Sequence, residues 1–171
     1  MDHQLAIELG RGMAMAGAGL AVGLGCAGSA KGIGIASQAV GGVLSEKPDL
    51  FGRLLVLLAL PGTQGFYGFI TAILIFVNTG LITGAMKVTP GTGLALMILG
   101  LGVGVALFFS ANWQGEASAS SIGLVARRPD AFGRSIILPA MVETYAVVAL
   151  LVGILAINWL TADAVTAFLQ Q

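Results

Sequence analysis

Ser45-Glu-Lys-Pro-Asp-Leu-Phe-Gly-Arg53 and Ala126-Arg-Arg-Pro-Asp-Ala-Phe-Gly-Arg134 are one charged connection written twice, 81 residues apart. Outward in the same register, Gly34, Ala36, Ser37 and Gly42 meet Gly115, Ala117, Ser118 and Gly123, and Leu57 and Ala59 meet Leu138 and Ala140. The repeat therefore takes in the apolar sequence on both sides of each connection. The chain reads as a duplicated two-helix hairpin.

Those flanks are long. Of the 171 residues, 57% are hydrophobic and 9% charged, against about 25% charged in soluble domains, so most of the surface must face lipid. Four apolar segments each meet the roughly 20 residues needed to cross a bilayer: about Gly12–Leu44, Leu54–Leu81, Gly91–Val125 and Ser135–Leu160. Residues 1–81 form the first hairpin, 82–90 a linker, 91–160 the second hairpin, and 161–171 a short polar tail. The first and third segments exceed a single span, so they tilt or protrude. The expected class is an all-α membrane protein of four transmembrane helices in two tandem, parallel repeats. The net charge of zero excludes the basic stripe that a nucleic-acid partner requires. No basic n-region precedes the first apolar segment, as a cleaved leader would require.

In segment one, Gly17, Gly19, Ala21, Gly23 and Gly25 alternate with larger residues, a period suggestive of a strand. An open strand in lipid would leave its backbone unsatisfied, so the segment must be helical. Gly19 with Gly23 and Gly28 with Gly32 then present small faces for close helix contact. The single Cys26 excludes an intramolecular disulfide and reads as a small buried packing residue. Lys47, Arg53, Arg127, Arg128 and Arg134 lie in or beside the connections, with Arg11 and Lys87 on the opposite side. That asymmetry places loops 45–53 and 126–134 in the cytoplasm and both termini outside.

Glu143 is the telling residue. It lies nine positions past Arg134, roughly 13 Å along a helix and so near mid-bilayer. An ionisable group at that depth costs about 2.5–3.5 kcal/mol and usually serves a function. Its counterpart in the first hairpin is Gly62, so one carboxylate serves four helices. Around that position Leu60, Thr63, Gln64 and Tyr67 recur at i, i+3, i+4 and i+7, one helical face. Pro61 lacks an N–H and frees the Leu57 carbonyl one turn upstream. Ser110, Gln114, Ala117, Ser118 and Ser121 form a second small or polar stripe, with Gln114 at a depth comparable to Glu143. Oxygen ligands with one carboxylate suit a hard cation, and a single negative charge matches Na⁺ better than Ca²⁺ or Mg²⁺. A proton carrier would need only the carboxylate and a hydrogen-bond partner. The bland alternative is interhelical hydrogen bonding alone, as in a structural proteolipid or passive pore. Lys31 and Glu116, one turn apart in repeat register, are expected to form a structural ion pair.

Gly-Ser-Ala-Lys-Gly (28–32), Leu-Pro-Gly-Thr-Gln-Gly-Phe-Tyr-Gly-Phe (60–69) and Ala-Met-Val-Glu-Thr-Tyr-Ala (140–146) resemble the proteolipid subunit of V-type ATPases, in particular its bacterial sodium-pumping form. The resemblance spans roughly residues 10–160. It implies a duplicated hairpin that joins identical subunits in a membrane rotor ring, catalyses nothing alone, and carries ions while ATP is hydrolysed elsewhere in the complex. It further implies Na⁺ ligation by the Leu60 carbonyl, Thr63, Gln64, Gln114 and Glu143, with Tyr67 hydrogen-bonding the glutamate. A static membrane subunit bearing an arginine and a central stalk on loops 45–53 and 126–134 would be the partners, in a bacterial plasma membrane. It assigns no role to Glu116 or to the tail.

Overall fold

The computed structural model describes residues 3–84 and 88–162. Among them the helices are α1 (His3–Leu44), α2 (Phe51–Ala59), α3 (Thr63–Asn78), α4 (Pro90–Arg127), α5 (Phe132–Ser135) and α6 (Ile137–Leu160). Short 3₁₀ turns at Pro48–Leu50, Leu60–Gly62 and Pro129–Ala131 join α2 to α3 and lead into α2 and α5. Four helical stretches are long and apolar enough to cross a membrane: Gln4–Leu44, Pro48–Asn78, Pro90–Arg127 and Pro129–Leu160. The all-helical, duplicated, four-span architecture is as expected. Lys87 and residues 163–171 of the tail lie outside the described residues.

Helix α1 starts at His3, upstream of the apolar run, so Arg11 sits inside it. A helix can continue beyond the hydrocarbon because water solvates charges there, whereas a hydropathy reading stops at the first of them. Helix α4 begins where local chemistry dictates. Pro90 occupies its first turn, and Thr89 Oγ1 accepts from the Thr92 N–H at 3.1 Å, a capped start with a proline that needs no donor.

The long helices α1 and α4 run parallel and meet backbone to backbone. Gly10 faces Gly93, Gly17 faces Gly100 and Gly32 faces Gly115. A Cβ on Gly115 would lie 2.5 Å from the Gly32 carbonyl oxygen and 2.6 Å from its Cα. On the other flank of α1, a Cβ on Gly25 would meet the Gln64 carbonyl at 2.8 Å, and one on Gly68 the Ala21 carbonyl at 2.5 Å. Of the two glycine pairs expected to make contacts, Gly28 and Gly32 do meet α4, but Gly19 and Gly23 have nothing within 4 Å.

Helix α6 packs on α4 and α3, and the apolar core falls into separate clusters. Ala14, Ala18, Ile75, Leu96 and Ile157 close one end; Leu54, Leu57, Ile122 and Val125 close the other. The repeated connections also touch: Lys47 Nζ donates to the Ala126 carbonyl at 2.6 Å, and an Arg53 guanidinium nitrogen to the Pro129 carbonyl at 2.9 Å. Lys47 thus sits at the carbonyl end of α4, where a cation is favoured.

Two expectations are corrected. Lys31 and Glu116 do not pair: Lys31 Nζ lies 6.0 Å from the centroid of the Phe108 ring, and both residues are exposed in the chain. Side chains on parallel helices lean toward the N-terminal end, which takes Lys31 back over Phe108 rather than forward to Glu116. Cys26 is exposed rather than buried, because it lines an open groove between α1 and α3.

Candidate ion-binding site

Between the two apolar clusters, α3, α4 and α6 bring polar groups together. The local cause is Pro61. Without an N–H it breaks the α-helical ladder, and Leu60–Gly62 tightens to a 3₁₀ turn whose Leu60 carbonyl accepts from the Thr63 N–H. Thr63 Oγ1 lies 3.1 Å from the same carbonyl oxygen and 3.3 Å from Gln64 Oε1.

Gln64 is fully buried and reaches across to α4. Its Nε2 donates to Gln114 Oε1 at 2.5 Å and to Ser110 Oγ at 3.3 Å. Gln114, also fully buried, donates through Nε2 to Glu143 Oε2 at 2.8 Å and to the Pro139 carbonyl at 3.1 Å. On the other side Tyr67 Oη donates to Glu143 Oε1 at 2.6 Å. Each carboxylate oxygen thus has a donor, and the two donors come from different hairpins.

The chemistry orients both amides. Gln114 faces two groups that only accept when Glu143 is ionised, the carboxylate and the Pro139 carbonyl, so its NH₂ must point at them. Its Oε1 then faces Gln64, which must answer with Nε2, and Gln64 Oε1 is left toward Thr63. The result is a corner of three oxygens: the Leu60 carbonyl, Thr63 Oγ1 and Gln64 Oε1. Thr63 has one hydroxyl proton for two neighbouring acceptors, so one of the close oxygen approaches has no hydrogen in it. An acceptor-rich corner beside a carboxylate is the electrostatic environment that a small hard cation satisfies.

The structure therefore brings Leu60, Thr63, Gln64, Tyr67, Gln114 and Glu143 into one neighbourhood. Glu143 is only half-buried, near the middle of the Pro129–Leu160 span. Ser110, read in the sequence only as part of a stripe, belongs to the network: its Oγ accepts from Gln64 and donates to the Val142 carbonyl at 3.3 Å. The rest of that stripe divides, since Ser121 Oγ instead donates to the Ser135 carbonyl at 2.8 Å, away from Glu143. Ser29 is a support that sequence reasoning misses. Its Oγ accepts from the Gly65 N–H at 2.8 Å and ties α1 to the start of α3; a small polar residue within a glycine- and alanine-rich helix is the available signal. Tyr67→Phe removes one of the two donors to the carboxylate, and a hydrogen bond to a charged group contributes about 1.5–3 kcal/mol. The expected outcome is a roughly 10- to 100-fold weaker cation affinity, measured as the Na⁺ concentration that half-protects Glu143 from carbodiimide.

Fold and site together define a duplicated-hairpin membrane protein with an intramembrane carboxylate, Glu143, clasped between its halves. The family model for the ATP synthase C subunit matches residues 16–75 and again 97–156, two matches at the same 81-residue offset as the repeated connection. The chain belongs to that family, as the rotor proteolipid of a V/A-type ATPase. It is 39% identical over 132 residues to the V-type sodium ATPase subunit K of Enterococcus hirae, a match covering 76% of this chain and 80% of that one. It is 41% identical over 140 residues to the A-type ATP synthase subunit K of Methanocaldococcus jannaschii, covering 81% of this chain and 59% of that longer one.

Proposed function

We propose that the chain carries Na⁺ across the membrane on Glu143, one ion per subunit, as the ring turns under ATP hydrolysis by the soluble sector. The observation that carries this reading is the oxygen corner of Leu60, Thr63 and Gln64 beside the Gln114–Glu143 hydrogen bond. A proton needs no such corner. The sodium named for the Enterococcus hirae relative supports the same choice. The Leu60 carbonyl, Thr63 Oγ1, Gln64 Oε1, Gln114 Oε1 and Glu143 would supply the ligands, with Tyr67 holding the carboxylate.

Glu143 facing lipid must be neutralised, because an unpaired charge in a low-dielectric medium is strongly disfavoured. Bound Na⁺ does this and so blocks leakage between half-channels. At a static membrane subunit, an arginine of that partner would satisfy the ionised carboxylate while one ion leaves and another enters. Moving each ion against the potential takes about 2.3 kcal/mol per 100 mV. Loops 45–53 and 126–134 would face the cytoplasm and meet the central stalk.

Carbodiimide modifies the protonated carboxyl, so labelling of Glu143 at fixed pH, with and without Na⁺, tests the reading. Protection by millimolar Na⁺ but not by K⁺ is expected. Protection by raised pH alone would assign the site to H⁺, and absence of labelling under all conditions would remove Glu143 from ion carriage.

A further inference from the structure

Ser29 on α1 and Ser110 on α4 occupy the same place in the repeat, 81 positions apart. Both are buried, yet they bond to their outer helices in opposite senses. Ser110 Oγ donates to the Val142 carbonyl of α6 at 3.3 Å, whereas Ser29 Oγ accepts from the Gly65 N–H of α3 at 2.8 Å. The difference follows from Pro61, whose counterpart is Val142. Helix α6 runs unbroken from Ile137 to Leu160, so its interior N–H groups are used within the helix and only a carbonyl lone pair is left for a serine. In the first hairpin the α-helix stops at Ala59 and restarts at Thr63, and the N–H groups of a first turn lack intrahelical partners. Gly62 stands at the N-cap of α3 and has no side chain to offer one. Gly65 is the third residue of α3, where an N-cap side chain often takes the N–H. Ser29 therefore caps α3 from a different helix.

The reach is short because the facing residue is a glycine. A Cβ on Gly65 would lie 3.4 Å from Ser29 Oγ and 3.6 Å from the Cα of Cys26, and the counterpart of Gly65 on α6 is Ala146. The cap also lands beside the oxygen corner. Gly65 directly follows Gln64, with Leu60 and Thr63 just upstream. Ser110 acts on the same glutamine through its amide, accepting from Gln64 Nε2 at 3.3 Å. One serine of the repeat thus fixes the backbone next to Gln64 and the other its side chain. The donors to Glu143 are held by other means: Gln114 stands on α4, and Tyr67 packs against Val103 and Leu107.

We propose that Ser29 is a positioning residue for the cation, itself outside the ligand set, that holds the Leu60, Thr63 and Gln64 oxygens in place before an ion arrives. The inference rests on the Na⁺ reading and deepens it by naming a residue that sets the preference for Na⁺ over H⁺. Without the cap, the broken segment between α2 and α3 samples arrangements in which the three oxygens do not converge. Apparent ion affinity then falls in proportion to the fraction of chains with the corner formed. Loss of a typical N-cap shifts such an equilibrium about fivefold. Protonation of Glu143 makes no use of the corner, so the same change leaves the carboxyl's reactivity without Na⁺ where it was.

The test compares Ser29→Ala and Ser29→Thr with wild type in membranes that hold the assembled complex. For S29A, the Na⁺ concentration that half-protects Glu143 from carbodiimide is expected to rise about fivefold at fixed pH. The rate of labelling without Na⁺ is expected to match wild type. S29T keeps the hydroxyl, and the groove that Ser29 lines leaves room for the added methyl, so half-protection is expected to return to the wild-type concentration. Wild-type Na⁺ dependence in S29A would overturn the proposal. A labelling rate that falls together with Na⁺ affinity, or an S29T no better than S29A, would make Ser29 a packing residue and overturn it equally. In all of these outcomes wild type is protected by Na⁺ and the sodium reading stands. A wild type that Na⁺ does not protect would overturn that reading, and this proposal with it.

Discussion

Glu143→Gln is expected to abolish ion transport by the assembled complex while the ring still forms. The amide is nearly isosteric with the acid, and its oxygen can still accept from Tyr67 Oη, which lies 2.6 Å from Glu143 Oε1. The other carboxylate oxygen becomes an NH₂ facing Gln114 Nε2, so that hydrogen bond is lost, while the shape of the side chain at the junction of α3, α4 and α6 is kept. What disappears is the negative charge that a cation must neutralise and the exchange between charged and neutral states. A neutral site facing lipid never needs an ion, and one facing an aqueous channel has nothing to attract one. ATP-driven ²²Na⁺ uptake into vesicles reconstituted with the complex should fall to the level without ATP, with ring mass on a native gel unchanged. Loss of the ring itself would make Glu143 a structural residue and undo the proposed mechanism.

The second large effect is steric. Gly115→Val is expected to prevent the two hairpins from docking. The first atom of any side chain there would lie 2.5 Å from the Gly32 carbonyl oxygen and 2.9 Å from its carbonyl carbon. Backbone cannot turn aside as a flexible side chain does. Even modest overpacking of a tight core costs about 1–3 kcal/mol, and here α1 and α4 must separate along their length. That movement would also carry Gln114 away from Gln64 and break the 2.5 Å contact that orients both amides. The expected result is loss of folded protein from the membrane fraction together with loss of Na⁺-protectable labelling. Gly34→Val, with nothing within 4 Å in the same chain, should leave both hairpins docked. Equal yields of folded G115V and wild type would show that the helices are not held at backbone contact.

Much of this is legible in one dimension because a membrane imposes simple rules. Glu143 stands out since a carboxylate in an apolar run has few reasons to be there, and the repeated Pro-Asp-x-Phe-Gly-Arg connection reveals the duplication without any coordinates. Leu60, Thr63, Gln64 and Tyr67 share a helical face by spacing alone. Their approach to Gln114 and Glu143 is a matter of how three helices pack, and no periodicity contains it. Ser110 illustrates the difference: its polarity is visible, but that it links Gln64 to the Val142 carbonyl depends on where α6 lies.

The mismatches have the same origin. Opposite charges in an apolar sequence invite pairing, yet the lean of parallel helices sends Lys31 to Phe108 rather than to Glu116. Residue type alone puts Cys26 in the interior, although it faces the groove left open along one side of the α1–α3 contact. Gly19 and Gly23 look identical in kind to Gly28 and Gly32, and the two sets lie on different faces of one helix.

By itself, the sequence determined the helical class, the spans, the duplication and the carboxylate. These follow from the cost of exposing backbone or charge to lipid, a cost set residue by residue and indifferent to the neighbouring chain. Only the tertiary structure decided which glycines touch, which amide oxygen is left toward Thr63, and which faces stay open. Those depend on distances of a few ångströms between segments some 30 to 80 residues apart, where the rotation of each helix selects the residue that meets its partner.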